Sequence, residues 1–456
     1  MKEKIILLNP PRVISSVPII RDFYCSFSSK AGYYWPSQDL LSLSGILRTD
    51  YDVKVIDAVP HNINEKDCFE MISGMHAQAL IFTTGMASFQ DDLRFIESVK
   101  NKINLKIIAS SSVFRFNGEE ILSRYPFLDA LITDFTDKSI IAYLHGDYSS
   151  CVSLLSREGK NIYMEKEEQG QEFSIGTPLY ESFFNKNNRI PLFGNQPFAI
   201  TFSSFGCKFN CSFCVASKIR IKFRNLDEVV SDLGYIRRLG IKNVFFVDPL
   251  FTAEKTRIMQ LSGRIKSLGL DWICNSHPAT ICDEEVLMAM KESGCKAVMI
   301  GVESGDDEML KRCAKGTNTE QIKQVFVLCR KLKIKTLAYF IIGLPGETKC
   351  SAQKTIEFAK RIQCNYASFG YATPDIGTDL AKKANFTGNC FDPSLEPVLL
   401  NENLTKEETI KLFRDAYRNF YLRPGYILRM LAGVHSLADL GLLLKEGSRL
   451  LRRNIL

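Results

Sequence analysis

The amino-acid sequence predicts an α/β protein: a doubly wound parallel sheet at the N-terminus, a partial (β/α)6 barrel after it, and a helical C-terminal tail. Three observations carry this expectation. Short β-branched runs alternate with helical patterns from the first residues onward, a polar stretch of weak periodicity interrupts them, and a second alternating series resumes near residue 198. Alternation of this kind builds parallel sheets, which take ligands beyond the carboxyl ends of their strands. At 456 residues a single core is not expected. The expected division is therefore 1–150, a linker at 151–195, the barrel at 196–400 and a C-terminal helical region at 401–456.

In the first series, residues 5–8, 53–56, 79–83, 106–109 and 130–133 read as buried strands, and segments such as 88–100 carry apolar residues at helical spacing. The linker reading rests on polar runs beginning at Glu165 and Asn185. In the second series the expected strands are 198–202, 243–247, 272–275, 297–300, 336–341 and 366–369, with helices at 226–239, 252–267, 283–293, 318–332 and 350–362. In barrels of this type the chemistry lies at the carboxyl ends of the strands. After Thr405 the tail reads as helical, with apolar residues running into basic ones, as at Ile427-Leu-Arg429.

Composition narrows the function. An apolar fraction of 45% and a charged fraction of 24% are those of an ordinary globular protein. The apolar run after Met1 is too short for a secretion signal and reads as a first strand, so a cytoplasmic location is expected. In that setting fourteen cysteines are not a disulfide framework. A net charge of +7 spread along the chain does not mark a nucleic-acid protein.

Cys207, Cys211 and Cys214 fall within eight residues, directly after the first strand of the second series. Three thiolates on one short loop suit three corners of a four-iron, four-sulfur cube and leave one iron without a protein ligand. Structural zinc, the main rival, wants four ligands, and no histidine or further cysteine lies close in sequence. Phe209 and Phe213 add an aromatic wall, or pack as ordinary core residues.

The stretch Cys-Lys-Phe-Asn-Cys-Ser-Phe-Cys at 207–214 resembles the cluster motif of the radical S-adenosylmethionine superfamily. The resemblance implies a 4Fe-4S cluster on Cys207, Cys211 and Cys214, which serve as both metal ligands and catalytic groups. It also implies S-adenosyl-L-methionine chelated to the open iron, cleaved after one-electron transfer to give a 5′-deoxyadenosyl radical. An electron donor such as flavodoxin or ferredoxin is implied with it.

Further matches follow in order, and they extend the implied cofactor site to Phe213, Asp248, Glu303, Ser304, Gly343 and Pro345. Phe246-Val-Asp-Pro-Leu-Phe resembles the end of the second barrel strand and puts Asp248 near the cofactor, although an acid before proline equally serves a turn. Ile300-Gly-Val-Glu-Ser-Gly resembles the fourth-strand motif in which Glu303 and Ser304 reach the ribose or amino-acid part; a salt bridge from Glu303 to a lysine is the alternative. Gly343-Leu-Pro-Gly-Glu-Thr resembles the fifth-strand motif, with glycines that let the backbone approach the adenine and Thr348 placed to cap the next helix. Pro374-Asp-Ile-Gly-Thr resembles the sixth-strand loop. His277 at the third-strand end reads either as a proton relay or as a satisfied structural histidine.

The segment from Pro36 to Arg48, followed by Val53-Lys-Val-Ile-Asp57, resembles the start of the cobalamin-binding domain found in one large subgroup. Thr83, Thr84, Ser110, Ser111 and Ser112 are the hydroxyls this resemblance places along the corrin cleft. Two loops depart from the subgroup: Ser110-Ser-Ser-Val113 replaces a Gly-Gly-Pro-like turn, and Thr133-Asp-Phe-Thr-Asp137 replaces Gly-Glu-Gly-Glu. These departures keep open a scaffold that no longer binds cobalamin.

The implied function is cobalamin-dependent methylation of an unactivated centre in a small molecule or lipid-like substrate, and the alternative is radical rearrangement, cyclisation or coupling without cobalamin. A transfer-RNA methylthiolating enzyme fits less well, because Cys25, Cys68 and Cys151 are out of order for its second cluster and the tail is helical. A cluster that merely stores electrons needs no second ligand site beside it, as the Glu303 and Gly343 motifs imply here. The C-terminal segment 416–424 resembles the subgroup's last helix; with Arg449, Arg452 and Arg453 it is read either as a peripheral membrane contact or as a helix packed on the barrel flank.

Overall fold

The computed structural model describes residues 2–11, 20–21, 33–34, 36–85, 88–111, 113–158, 171–194, 196–383, 401–432 and 437–454. Ser112, Cys25, the polar run at 165–170 and the side chain of Arg453 lie outside the described residues.

The N-terminal sheet has six strands in the order β2-β1-β3-β4-β5-β6. β1 (Lys4–Asn9), β2 (Asp52–Asp57), β3 (Ala79–Thr83), β4 (Lys106–Ser110) and β5 (Ala130–Ile132) are parallel, and β6 (Leu154–Ser156) runs antiparallel to β5. Ile5, Ile6, Leu7 and Leu8 are all buried, as a sheet covered on both faces demands. Ser37 caps the helix Gln38–Leu47 by accepting from the Leu40 N–H.

The stretch read as a linker is more ordered than its composition suggested. It supplies β6 to this sheet and β7 (Glu172–Phe173) to a small sheet with β9 (Ser204–Phe205) and β10 (Lys222–Arg224), in the order β7-β10-β9. Strands of two or three residues leave no readable period. Tyr180, fully buried, pins the same stretch to the barrel: its hydroxyl donates to Asp232 at 2.8 Å and lies 3.0 Å from Thr201 Oγ1. Asp232 in turn pairs with the fully buried Arg224 at 2.6 Å.

The barrel sheet is entirely parallel, with β8 (Phe198–Thr201), β11 (Asn243–Phe246), β12 (Asp271–Ser276), β13 (Cys295–Glu303), β14 (Lys335–Ile342) and β15 (Tyr366–Tyr371) as neighbours in chain order. Most crossover helices start at a short polar residue whose side chain takes orphan N–H groups, namely Asn225, Asp283, Asp306, Asn318 and Thr348, whereas helix Lys255–Ile265 follows Glu254 without a side-chain cap. Because the barrel is not closed, β15 is an edge. Helix Lys406–Tyr421 covers it: Tyr421 Oη donates to Ala367 O at 2.6 Å and accepts from Ala367 N at 3.0 Å, and Tyr417 does the same at Phe369. Among the described residues no helix is long and apolar enough to cross a membrane.

Candidate radical site

The cysteine loop leaves β9 through Gly206, which holds φ +85°; a Cβ there would stand 2.4 Å from Arg220 O. Only glycine fits this turn. The loop then closes on itself through Cys207 N–H to Ile219 O and Ser217 Oγ–H to the carbonyls of Cys211 and Cys214. Asp248 steadies its root. The fully buried carboxylate accepts from Ser203 N, Ser203 Oγ and Ser204 Oγ at 2.7–2.9 Å. Asp248 is thus engaged in holding the corner before the cysteines, the turn-forming role left open by the sequence.

Cys207, Cys211 and Cys214 come together. Burial raises all three thiols; with the charges of neighbouring thiolates added, and Lys315 opposing them at Cys211, Cys211 is brought to about 11 and Cys214 to about 12. Such thiols stay protonated unless a metal centre takes them as thiolates. Among the described residues no three His, Cys, Asp or Glu side chains converge on a single-ion centre. A cube, which needs its three corners held apart on one loop, fits this donor set. A fourth cysteine, Cys313, accepts Ser212 N–H on its carbonyl, but its thiol turns to Leu310 O.

Around the thiols the predicted residues divide. Phe213 packs against Met309, Cys313 and Leu344. Glu303 ends β13 at a register shift with φ +65°, a backbone state that L-residues adopt at a cost of about 1–2 kcal/mol. Its Oε1 receives the Lys315 ammonium at 2.8 Å, and both side chains are buried. The salt-bridge alternative for Glu303 is therefore present, beside the thiols rather than away from them. Ser304 does not join the site: its hydroxyl lies 3.0 Å from Thr355 Oγ1 and accepts from Asp306 N.

Gly343 has φ +86° and donates its N–H to Glu347 Oε2 at 2.5 Å. Burial pushes Glu347 up to about 7. Pro345 and Leu344 line a cavity of about 560 Å³ together with Ser212 of the cysteine loop, Met309, Arg312 and Lys383. His277 is a satisfied structural histidine. Its Nδ1 accepts from Ala279 N at 3.1 Å and its Nε2 donates to Lys315 O at 2.7 Å; burial and then the Lys315 charge hold the ring neutral.

At the carboxyl edge of the N-terminal sheet the expected hydroxyls turn inward. Thr83 donates to Asp39 at 3.0 Å and Thr84 to Asp92 at 2.8 Å; Ser110 is fully buried, and Ser111 donates its N–H to Ile132 O. Arg21 forms a buried ion pair with Asp92 and donates to Asn9, while Tyr34 and Asn9 donate to Asp57. Both amide atoms of Gln38 and the Thr133 hydroxyl are buried without a partner at this edge. Orphaned polar atoms cost about 1–3 kcal/mol each, so this edge fits a ligand rich in amides, as a corrin is. The loop after β5 instead reaches the barrel: Asp134 pairs with Arg115 and Lys222, and the Phe135 ring packs 4.6 Å from that of Phe205.

Lys315, Asp39, Asp92 and Arg21 were not foreseen. The signal for Lys315 was the short Lys-Gly pair after the fourth-strand helix; Arg21 and Asp92 are 71 residues apart and carry no local signal.

Comparison with known proteins agrees with this geometry. Residues 201–359 match the model described as Radical SAM superfamily. The chain is 29% identical over 415 residues to an uncharacterized methyltransferase of Pyrococcus horikoshii, covering 86% of this chain and 89% of that one. Its fold is similar to that of OxsB, a cobalamin-dependent S-adenosylmethionine radical enzyme with aqua-cobalamin and S-adenosylmethionine bound, with a TM-score of 0.69 at 14% identity over 99% of this chain and 72% of that one. It is also similar to the radical S-adenosylmethionine methyltransferase TsrM of Kitasatospora setae with cobalamin and a [4Fe-4S] cluster bound, with a TM-score of 0.61 at 16% identity over 81% of this chain and 72% of that one.

Proposed function

We propose that this chain, whose residues 201–359 match the Radical SAM superfamily model, is a cobalamin-dependent radical S-adenosylmethionine methyltransferase acting on a small-molecule or lipid-like substrate. The observation that carries the proposal is the glycine-turned loop that brings Cys207, Cys211 and Cys214 to the carboxyl side of the barrel beside Glu303. In it residues 1–150 hold cobalamin, 151–195 link, 196–400 form the catalytic barrel and 401–456 the flanking helices. The cluster and S-adenosylmethionine supply one-electron chemistry able to activate an unreactive carbon, and cobalamin supplies the methyl relay.

The chain's own residues have separate tasks in this reading. The three thiolates hold the cluster, and Asp248 fixes the corner from which they project. Glu303 takes a polar group of the S-adenosylmethionine, Pro345 and Gly343 border its adenosine, and Phe213 walls off water. The unpartnered amide of Gln38 and hydroxyl of Thr133 meet corrin side chains. A cytoplasmic setting, a flavodoxin or ferredoxin donor and membrane contact through the C-terminal helices, whose Ile427, Leu428 and Leu431 are exposed, complete the proposal.

A second reading keeps the radical and omits cobalamin, and the packing of Phe135 against Phe202 and Phe205 favours it, since that loop lies where the N-terminal sheet faces the barrel. Anaerobic reconstitution decides between them. Formation of 5′-deoxyadenosine with about one bound cobalamin per chain supports the first reading, and formation without cobalamin supports the second. Cluster absorbance that survives changing Cys207, Cys211 and Cys214 together to Ala refutes both.

A further inference from the structure

The loop after β15 joins the radical site to the N-terminal sheet. Ala372 and Leu380, at its two ends, belong to the apolar cluster on which Phe213 packs, and Leu380 N–H donates to Ser212 O at 2.9 Å, between Cys211 and Cys214. At its tip Ile376 packs on the N-terminal core. Beside it Gly377 holds φ +82°, and a Cβ there would stand 2.6 Å from the Phe116 ring. Phe116 belongs to the helix Phe114–Arg124, which follows the Ser110 edge where the corrin is expected. A substrate methylated between the two cofactors therefore lies alongside this loop.

Asp375 stands in the middle of it. Its main chain is committed, since Thr378 donates to Asp375 O from its N–H at 3.1 Å and from its hydroxyl at 2.6 Å. Its side chain is not. The residue is half-buried, and among the described residues its carboxylate has neither a hydrogen bond nor a counter-ion. Charged groups on the elements packed against the loop are engaged elsewhere: Arg115 with Asp134, and Lys218 with the loop's other acid, Asp379, at 2.8 Å. Burial alone pushes Asp375 up to about 7. A turn-forming aspartate would cap an N–H or reach solvent. One held among protein atoms without a partner opposes folding and marks a place where a ligand completes it.

The barrel lumen beside this loop is apolar. In β14 Phe340 faces the covering helix, stacking on Phe369, whose ring meets Tyr417. Side chains alternate along a strand, so Leu337, Tyr339 and Ile341 face the lumen. All three are only half-buried although the outer face of the sheet is covered, so their accessible surface lines the lumen.

We propose that Asp375 is the substrate-recognition residue: its carboxylate takes a protonated amine at one end of a substrate whose apolar body lies along Tyr339 and Ile341. This rests on the radical S-adenosylmethionine reading and supplies the substrate class which that reading leaves open.

The test uses the reconstituted full-length chain and three probes of one shape: phenethylamine, a cation; phenethyl alcohol, neutral; and hydrocinnamate, an anion. Ligand-observed NMR gives their affinities at about pH 8.5, where Asp375 is ionised, and at about pH 5.5, where it is protonated while the amine keeps its charge. At the higher pH the wild-type chain is expected to bind phenethylamine about tenfold tighter than phenethyl alcohol, and hydrocinnamate more weakly than either. The preference should vanish at the lower pH and in Asp375→Asn at both, and persist in Asp375→Glu at the higher one. Because Asn removes an unpartnered buried charge, it should melt no lower than wild type at the higher pH; a much lower melting temperature would make the carboxylate structural and overturn the inference. So would equal affinity for the three probes in the wild-type chain, or a preference that survives in Asp375→Asn. Formation of 5′-deoxyadenosine, measured in the same samples, reports separately on the radical reading: if it is absent while the amine preference follows Asp375, the radical reading fails and the recognition role stands.

Discussion

Phe209 and His277 stack face to face, ring centroids 3.7 Å apart and planes 20° from parallel, so the cysteine loop rests on the residue that follows β12. Because His277 has both nitrogens bonded and is kept neutral, the ring is a fixed platform rather than a titrating one. An aromatic pair is worth about 0.5–1.5 kcal/mol beyond its buried area. Phe209→Ala is therefore expected to assemble the cluster but lose it to a chelator roughly fivefold faster than wild type. The decay of cluster absorbance measures this, and equal rates contradict the platform role.

Most of the barrel was legible because its strands are long apolar runs and its helices open on capping residues such as Asn225, Asp283 and Thr348. The loop chemistry was legible too, since Cys207, Cys211 and Cys214 are neighbours in the chain. What the sequence did not disclose depends on contacts between distant residues. Asp248 and Ser304 carry motif positions, but whether their polar atoms face a ligand or the chain is decided by Ser203 and Thr355. Thr83 and Thr84 were expected to face a cleft, and Asp39 and Asp92 beneath them take their protons instead. The strands β6 and β7 are too short to show a period.

Asp134 joins the N-terminal sheet to the barrel side through Arg115 at 2.7 Å and through Lys222. Burial alone would raise this carboxyl, but the two cations outweigh it and hold it below the ordinary carboxylate range. A group lowered in this way stabilises the fold above its unfolded value of about 4 and loses that contribution as pH falls further. Asp134→Asn leaves two buried cations without their carboxylate and is expected to cost about 3–5 kcal/mol near neutral pH. The deficit should narrow in acid, and thermal melts of both proteins from pH 7 down to about pH 3 test it against that window.

Glu347 behaves in the opposite sense. Burial lifts it from 4.5 to about 7, partly offset by the Gly343 N–H, and its Oε1 has no partner. For an acid raised on folding, stability is full below the unfolded value and declines as pH rises through the folded one. Wild-type stability should therefore fall between pH 4.5 and about 7 by an amount on the order of 3 kcal/mol. Glu347→Gln, which is neutral throughout, is expected to flatten this limb, and denaturant midpoints across that range decide the matter.

Two glycines separate folding from cofactor binding. At Gly206 an added methyl meets backbone, Arg220 O at 2.4 Å and Ile219 O at 2.7 Å, with φ at +85°, so nothing nearby can yield cheaply. At Gly301 the obstacles are side-chain ends, Glu303 Oε1 and Lys315 Nζ, which can swing away. Gly206→Ala is expected to melt lower by several kcal/mol in stability, roughly the sum of a left-handed penalty and an overpacking cost, and to load little iron. Gly301→Ala should melt within about 1 kcal/mol of wild type and load iron normally, yet bind S-adenosylmethionine more weakly because the displaced pair no longer meets it. Iron content, melting temperature and S-adenosylmethionine affinity measured on both variants distinguish the two roles; equal loss of iron in both would show that the Glu303–Lys315 pair supports the fold rather than the ligand.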